Sequence, residues 1–120
     1  EDIARLLAAA DLFALASDTE QMPIALVEAM AAGLPVVATS VGDVPRMVAP
    51  EGRAYLAAPT DEAGLARALA ELVADPALRQ RLGRANRARA RACYDAAAML
   101  EAWAALFDGN WPPPPPRDGA

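Results

Sequence analysis

The sequence has 120 residues, enough for one domain or part of one, and 55% of them are hydrophobic and 22% charged, the balance of a globular chain. It has no His, which excludes a His-dependent triad, a His proton shuttle and His-ligated zinc within the chain, and its lone Cys93 excludes an internal disulfide and a thiolate metal cluster. The net charge of −5 is uneven: residues 1–78 hold 12 acids and 4 Arg, residues 79–120 hold 4 acids and 7 Arg, and the acidic first part argues against a nucleic-acid binder.

Along the chain, Ile3 to Ala10 reads as a short helix on Ile3, Leu6 and Leu7. Leu12 to Ala16 is a short apolar run between Asp11 and Ser17-Asp18, the pattern of a buried strand. Pro23 stands where a helix should begin, and Gly33 where it should stop after Ala32. On that helix Met22, Leu26 and Met30 form one stripe, and Ala25, Ala29 and Ala32 a small-residue face for close packing. Pro35 to Thr39 reads as a second buried strand, Val44 to Val48 as a turn or two of helix, and Ala54 to Ala57 as a third, weaker strand.

A helix begins at Thr60-Asp61-Glu62 and runs to Ala74 on Leu65, Leu69, Leu72 and Val73. Asp75-Pro76 starts another, with Asp as N-cap and Pro as first residue, which continues through Leu78 and Leu82 into an Arg-rich stretch. Asp95 to Phe107 is the last helix, ended by Gly109, with Trp103 and Phe107 four apart and expected to pack onto the body. Pro112 to Pro116 reads as an extended, disordered tail. Strands alternating with helices predict an α/β fold, a parallel sheet flanked by helices. Three strands are few for such a sheet, and the chain starts at Glu1-Asp2-Ile3 without an initiator Met or signal peptide, so the expectation is a piece of something longer.

The chemistry concentrates in Ser17 to Gly42. Glu20 lies in the loop before a helix; Glu28 lies on that helix about two turns in, about 200° around from Leu26 and so off the apolar stripe. A helix N-terminus following a strand is an anion site, and open parallel sheets bind ligands beyond the carboxyl ends of their strands. Carboxylates beside such a site accept hydrogen bonds from sugar hydroxyls. Backbone donors for a diphosphate next to carboxylates for sugar and ribose suit a nucleotide sugar.

The segment ADLFALASDTEQMPIALVEAMAAGLPVVATSVGDVP resembles the donor-binding domain of GT-B glycosyltransferases, in particular the retaining family 4. Its signature is two Glu separated by seven residues and then an E-A-M-A-x-G-x-P-V-V run, here Glu20, Glu28 and Ala29 to Val37. Asp75 to Gly83 is similar to the family's D-P-x-L-R-x-R-L-G region, and the resemblance extends over about residues 3–107. It implies a partial Rossmann-like sheet, the C-terminal part of a GT-B donor domain over residues 1–109, followed by a Pro-rich tail over residues 110–120.

The resemblance also assigns residues. Glu20 would be the catalytic residue, beside the donor sugar, Glu28 would hold the ribose hydroxyls, and Gln21, Met22, Ile24 and Gly42 would complete donor binding. Pro23 has no N–H to donate. No metal and no cofactor are expected beyond the nucleoside-diphosphate sugar itself. The family's Arg/Lys pair for the diphosphate and its N-terminal acceptor domain are absent from the sequence, so the segment alone is expected not to turn over. Two positions depart from the family pattern: Gln21 replaces a usual Gly, and Gly42-Asp43-Val44-Pro45-Arg46 stands for G-G-x-P-E. Within the same fold family a sugar-nucleotide epimerase is the alternative enzyme, and a non-catalytic nucleotide-binding or scaffolding remnant the alternative from another class.

The remaining features carry plainer readings. Ser17-x-x-Glu20 matches a capping box, and Asp18-Thr19-Glu20 only loosely matches a metal-binding triplet. The arginines from Arg79 to Arg91 spread over more than one helix face without interleaved aromatics, a solvated surface rather than an RNA patch. The longest uncharged run, Ala29 to Gly42, is 14 residues and contains Pro35, too short to span a bilayer. No transmembrane segment is therefore expected, and peripheral membrane contact of the parent protein stays open. A single thiol suits a cytoplasmic location.

Overall fold

The structure, a computed structural model, describes residues 2–110. The elements in order are α1 (Ile3–Ala9), β1 (Phe13–Leu15), α2 (Ile24–Ala32), β2 (Val36–Thr39), α3 (Val44–Met47), a 3-10 turn (Pro50–Tyr55), β3 (Leu56–Ala57), α4 (Glu62–Ala74), α5 (Pro76–Cys93) and α6 (Ala96–Phe107). The proline run lies outside the described residues. Aspartate side chains cap four of the helices. Asp2, Asp61, Asp75 and Asp95 accept from the backbone N–H of Arg5, Gly64, Leu78 and Ala98 at 3.4, 2.7, 2.9 and 3.0 Å. Each such cap is worth about 1 kcal/mol.

The three strands form one parallel sheet in the order β1-β2-β3, with Phe13 opposite Val36 and Ala38 opposite Leu56. Central β2 is buried at every residue. Its alternating side chains feed two cores. Val36 and Ala38 join Leu26, Met30, Val44, Met47, Val48 and Ala90 on one face; Val37 joins Leu72, Leu78 and Leu82 on the other. This is the α/β sheet with flanking helices that strand–helix alternation predicts.

Helix α5 holds this sandwich together from behind. Leu78, Leu82, Asn86 and Ala90 recur every four residues and are all buried. Buried Asn86 bridges two segments: its Nδ2 donates to the Leu34 carbonyl at 2.9 Å, and its Oδ1 accepts from the Ala49 N–H at 3.1 Å. Gly83 lets α5 approach α2, since a Cβ there would lie 2.0 Å from the Gly33 carbonyl oxygen. Gly33 ends α2 in the left-handed conformation at φ 84°. Two arginines of α5 cap other helices. Arg79 donates to the carbonyls of Leu72 and Val73 at the end of α4, and Arg89 to those of Met47 and Arg46 at the end of α3.

Several local expectations change. Pro23 is the N-cap of α2, not its first residue, so Met22 leaves the helical stripe and is 50% exposed. Of the three alanines on the proposed close-packing face, Ala29 alone is buried; Ala25 and Ala32 are exposed, because the face turned inward follows Leu26 and Met30. The third strand shrinks to Leu56–Ala57, since Pro50 at the start of the preceding segment nucleates a 3-10 turn that absorbs Ala54 and Tyr55. Leu72 is the buried residue of α4, whereas Leu69 and Val73 are exposed. Trp103 and Phe107 do not pack onto the body. They stack on each other at 6.1 Å on α6, a helix that buries none of its residues.

Candidate functional site

The candidate residues in loops sit at one end of the sheet because the strands are parallel and successive loops emerge together beyond their carboxyl ends. The loop after β1 carries Glu20, Gln21 and Met22; the loop after β2 carries Gly42. These two loops are in direct contact. Gly42, at φ 52°, leaves no room for a Cβ, which would lie 2.0 Å from the Glu20 carbonyl oxygen and 2.8 Å from that of Gln21. The neighbouring Asp43 N–H donates to the Gln21 carbonyl at 2.9 Å. The structure therefore brings Glu20, Gln21 and Gly42 together, with Gly42 acting as the seat of the loop.

A second anchor lies beneath. Thr39, buried at the end of β2, donates from Oγ1 to the Ser17 carbonyl at 2.6 Å and to the Leu15 carbonyl at 3.4 Å. Ser17 in turn donates from its hydroxyl to Glu20 Oε1 at 2.7 Å. The capping-box expectation for Ser17-x-x-Glu20 is thus replaced. Helix α2 starts seven residues after Ser17, so the Ser hydroxyl reaches the Glu side chain and not a helical N–H.

Glu28 is exposed on α2, opposite buried Leu26, as the helical period requires. It is the fifth residue of the helix, a little over one turn in, because α2 begins only at Ile24. Ile24 opens α2 with 74% of its surface exposed. Pro23 supplies no side-chain cap, so the first-turn N–H groups of α2 are directed at the same open end without a capping side chain. Exposed Asp43 and Arg46 pair loosely at 3.7 Å beside Gly42. Among the described residues no group of three or more Cys, Asp or Glu could hold a metal ion, and Asp18-Thr19-Glu20 forms none.

Two surface hollows lie elsewhere. One of about 230 Å³ lies between β3 and α4, beside Tyr55 and Glu71. The other, about 300 Å³, lies between α1, the end of α2 and the start of α5. Neither is lined by Glu20 or Glu28. In the first, the Tyr55 hydroxyl donates to Glu71 Oε1 at 3.1 Å, and burial, then this bond to the carboxylate, pushes the phenol above its ordinary pKa of 10.0.

Residues that sequence reading missed are structural supports: Thr39 beneath the Glu20 loop, and Gly83 and Asn86 behind the sheet, while Ser17 was read only as a cap. Two signals were available. An isolated Gly inside a helix costs about 1 kcal/mol and marks a close approach, and Asn86 interrupts an otherwise apolar i, i+4 row. Among the described residues no helix is long and apolar enough to cross a membrane.

Residues 1–89 match the model of the family described as Glycosyl transferases group 1. The chain is 39% identical over 104 residues to a D-inositol 3-phosphate glycosyltransferase of Streptomyces avermitilis, covering 85% of the chain and 22% of that protein. It is 35% identical over 99 residues to a GDP-mannose-dependent monoacylated alpha-(1-6)-phosphatidylinositol monomannoside mannosyltransferase of Corynebacterium glutamicum, covering 77% and 26%. The structure resembles that of a sucrose-phosphate synthase from Thermosynechococcus elongatus with a TM-score of 0.76 at 33% identity, covering 87% of the chain and 27% of that one. The chain thus spans about a quarter of the length of these relatives. Matched over residues 1–89 by the family model and over most of its length by these relatives, the chain belongs to the glycosyl transferases group 1 family of GT-B glycosyltransferases.

Proposed function

We propose that this chain supplies the donor side of a retaining, family 4-type glycosyltransferase that moves a sugar from a nucleoside diphosphate to an acceptor. The observation that supports the reading is the Glu20 loop, seated against Gly42 beyond the carboxyl end of the parallel sheet and leading into an α2 N-terminus without a side-chain cap, with Glu28 exposed a little over one turn along that helix. The N–H groups there suit the diphosphate, with the backbone of Gln21, Met22 and Ile24 nearest to it. Glu28 takes the ribose hydroxyls and Glu20 the donor sugar. One relative is named as dependent on GDP-mannose, which supports a nucleotide-sugar donor.

In this reading retention follows from acceptor and leaving phosphate sharing one face of the sugar. No metal takes part. The acceptor and the cations that neutralise the diphosphate come from outside this segment, so residues 1–120 alone do not turn over, and the domain proper ends near residue 109. The reaction belongs to the cytoplasm, where an exposed free thiol such as Cys93 stays reduced. The test is titration of UDP and GDP into the full-length protein and its Glu28→Gln variant. Nucleotide affinity should fall about tenfold with the lost charge-assisted bonds; unchanged affinity removes the ribose assignment.

A further inference from the structure

We infer that Ser17 is a positioning residue for Glu20, fixing which carboxylate oxygen faces the donor sugar. The inference rests on the reading of Glu20 as the sugar-side carboxylate. Glu20 is half-buried in a loop, and its side chain turns about three bonds. Such a group presents no fixed acceptor unless something holds it. Its backbone is already held, by Gly42 packed against the Glu20 carbonyl and by the Asp43 N–H on the Gln21 carbonyl. Its side chain accepts, among the described residues, the hydrogen bond of the Ser17 hydroxyl on Oε1 at 2.7 Å.

Ser17 can serve as that anchor because it is itself fixed. Its carbonyl accepts the Thr39 hydroxyl at 2.6 Å, and Thr39 is 4% exposed at the end of the central strand. The orientation of the carboxylate is therefore tied to β2 through two hydroxyls. With Oε1 turned to Ser17, Oε2 is the oxygen without a hydrogen bond among the described residues and the one presented to a ligand hydroxyl. A preorganised acceptor binds without first losing rotamer freedom, and misplacement of a reacting group by a fraction of an ångström lowers rate as well as affinity. A capping role offers no rival account, since α2 begins at Ile24 behind the Pro23 N-cap.

The experiment uses the full-length protein with four probes, UDP, GDP, UDP-glucose and GDP-mannose, and follows both binding and turnover. In Ser17→Ala the affinity for the nucleoside diphosphate should stay within about twofold, while affinity or kcat for the matching nucleotide sugar falls about tenfold, the scale of one bond to a charged group. Ser17→Thr, which keeps the hydroxyl, should restore most of the loss. A purely structural serine would instead weaken nucleotide and nucleotide sugar alike, and that result overturns the proposal. So does an unaffected Ser17→Ala in a protein where Glu20→Gln cuts nucleotide-sugar binding. If the unsubstituted protein binds nucleotide but Glu20→Gln changes nothing, the sugar-side reading of Glu20 fails, and the role of Ser17 falls with it.

Discussion

The α-carbon of Gly42 and the carbonyl oxygen of Glu20 are packed so closely that any side chain at residue 42 collides with the loop that carries the carboxylate. Space and backbone conformation agree here, because φ at Gly42 is 52°, a region that L side chains rarely adopt. Gly42→Ala should therefore destabilise the fold by roughly 1–3 kcal/mol. It should also displace Glu20, lowering nucleotide-sugar affinity in the full-length protein by more than about tenfold, beyond the loss of one charge-assisted bond. Thermal unfolding and a donor titration on the same sample check both.

Asn86 and Gly83 support the fold from α5 and should separate stability from binding. Asn86→Ala leaves the Leu34 carbonyl and the Ala49 N–H without their partner, at a cost of roughly 2–4 kcal/mol. Gly83→Ala forces α5 off the Gly33 carbonyl, an overpacking cost of about 1–3 kcal/mol. Urea denaturation should record both losses, while nucleotide affinity, measured at a temperature where each variant is still folded, stays at the parental value.

The arginines of α5 divide into two kinds that a substitution pair can tell apart. Arg89 donates to the carbonyls at the end of α3, and Arg84 is exposed. Arg89→Ala should cost about 1–3 kcal/mol, the range for bonds made by a charged donor, and Arg84→Ala within about 0.5 kcal/mol. Equal effects in chemical denaturation would contradict this division.

Tyr55 gives a pH dependence with a definite sign. Burial and Glu71 raise its pKa in the folded state, so the native protein holds the proton more tightly than the unfolded chain. The associated stability is fully present below the ordinary tyrosine range and is lost as pH rises through the folded value, above 10.0. Tyr55→Phe cannot ionise. Its denaturation midpoint should fall less than that of the parent between neutral pH and alkaline pH.

Local signals made much of this fold readable. Pro23, Gly33 and Pro35 bracket α2 and open β2, and Asp61, Asp75 and Asp95 announce helices, because caps and turns depend on neighbours within four residues. Glu20 and Glu28 were legible only as a motif. The meeting of Glu20 with Gly42 depends on parallel strands that set two loops side by side, which no local window contains. Distance in sequence also hid the Asn86 bridge to Leu34, 52 residues away. The 3-10 turn at Pro50 escaped notice because its last residues, Ala54 and Tyr55, run on without a break into the apolar Leu56–Ala57 strand.

Helix α6 has twelve residues and buries none of them, while Met99, Leu100, Trp103 and Phe107 stay exposed. Helices of that length are marginal in water without packing. Its amides can therefore open one turn at a time without disturbing the sheet, whereas those of α5, with five buried residues, exchange only when the two cores come apart. Amide hydrogen exchange thus divides the chain into two regimes. Any slowing confined to α6 when this segment sits in its whole protein measures directly how much of that helix a neighbour covers.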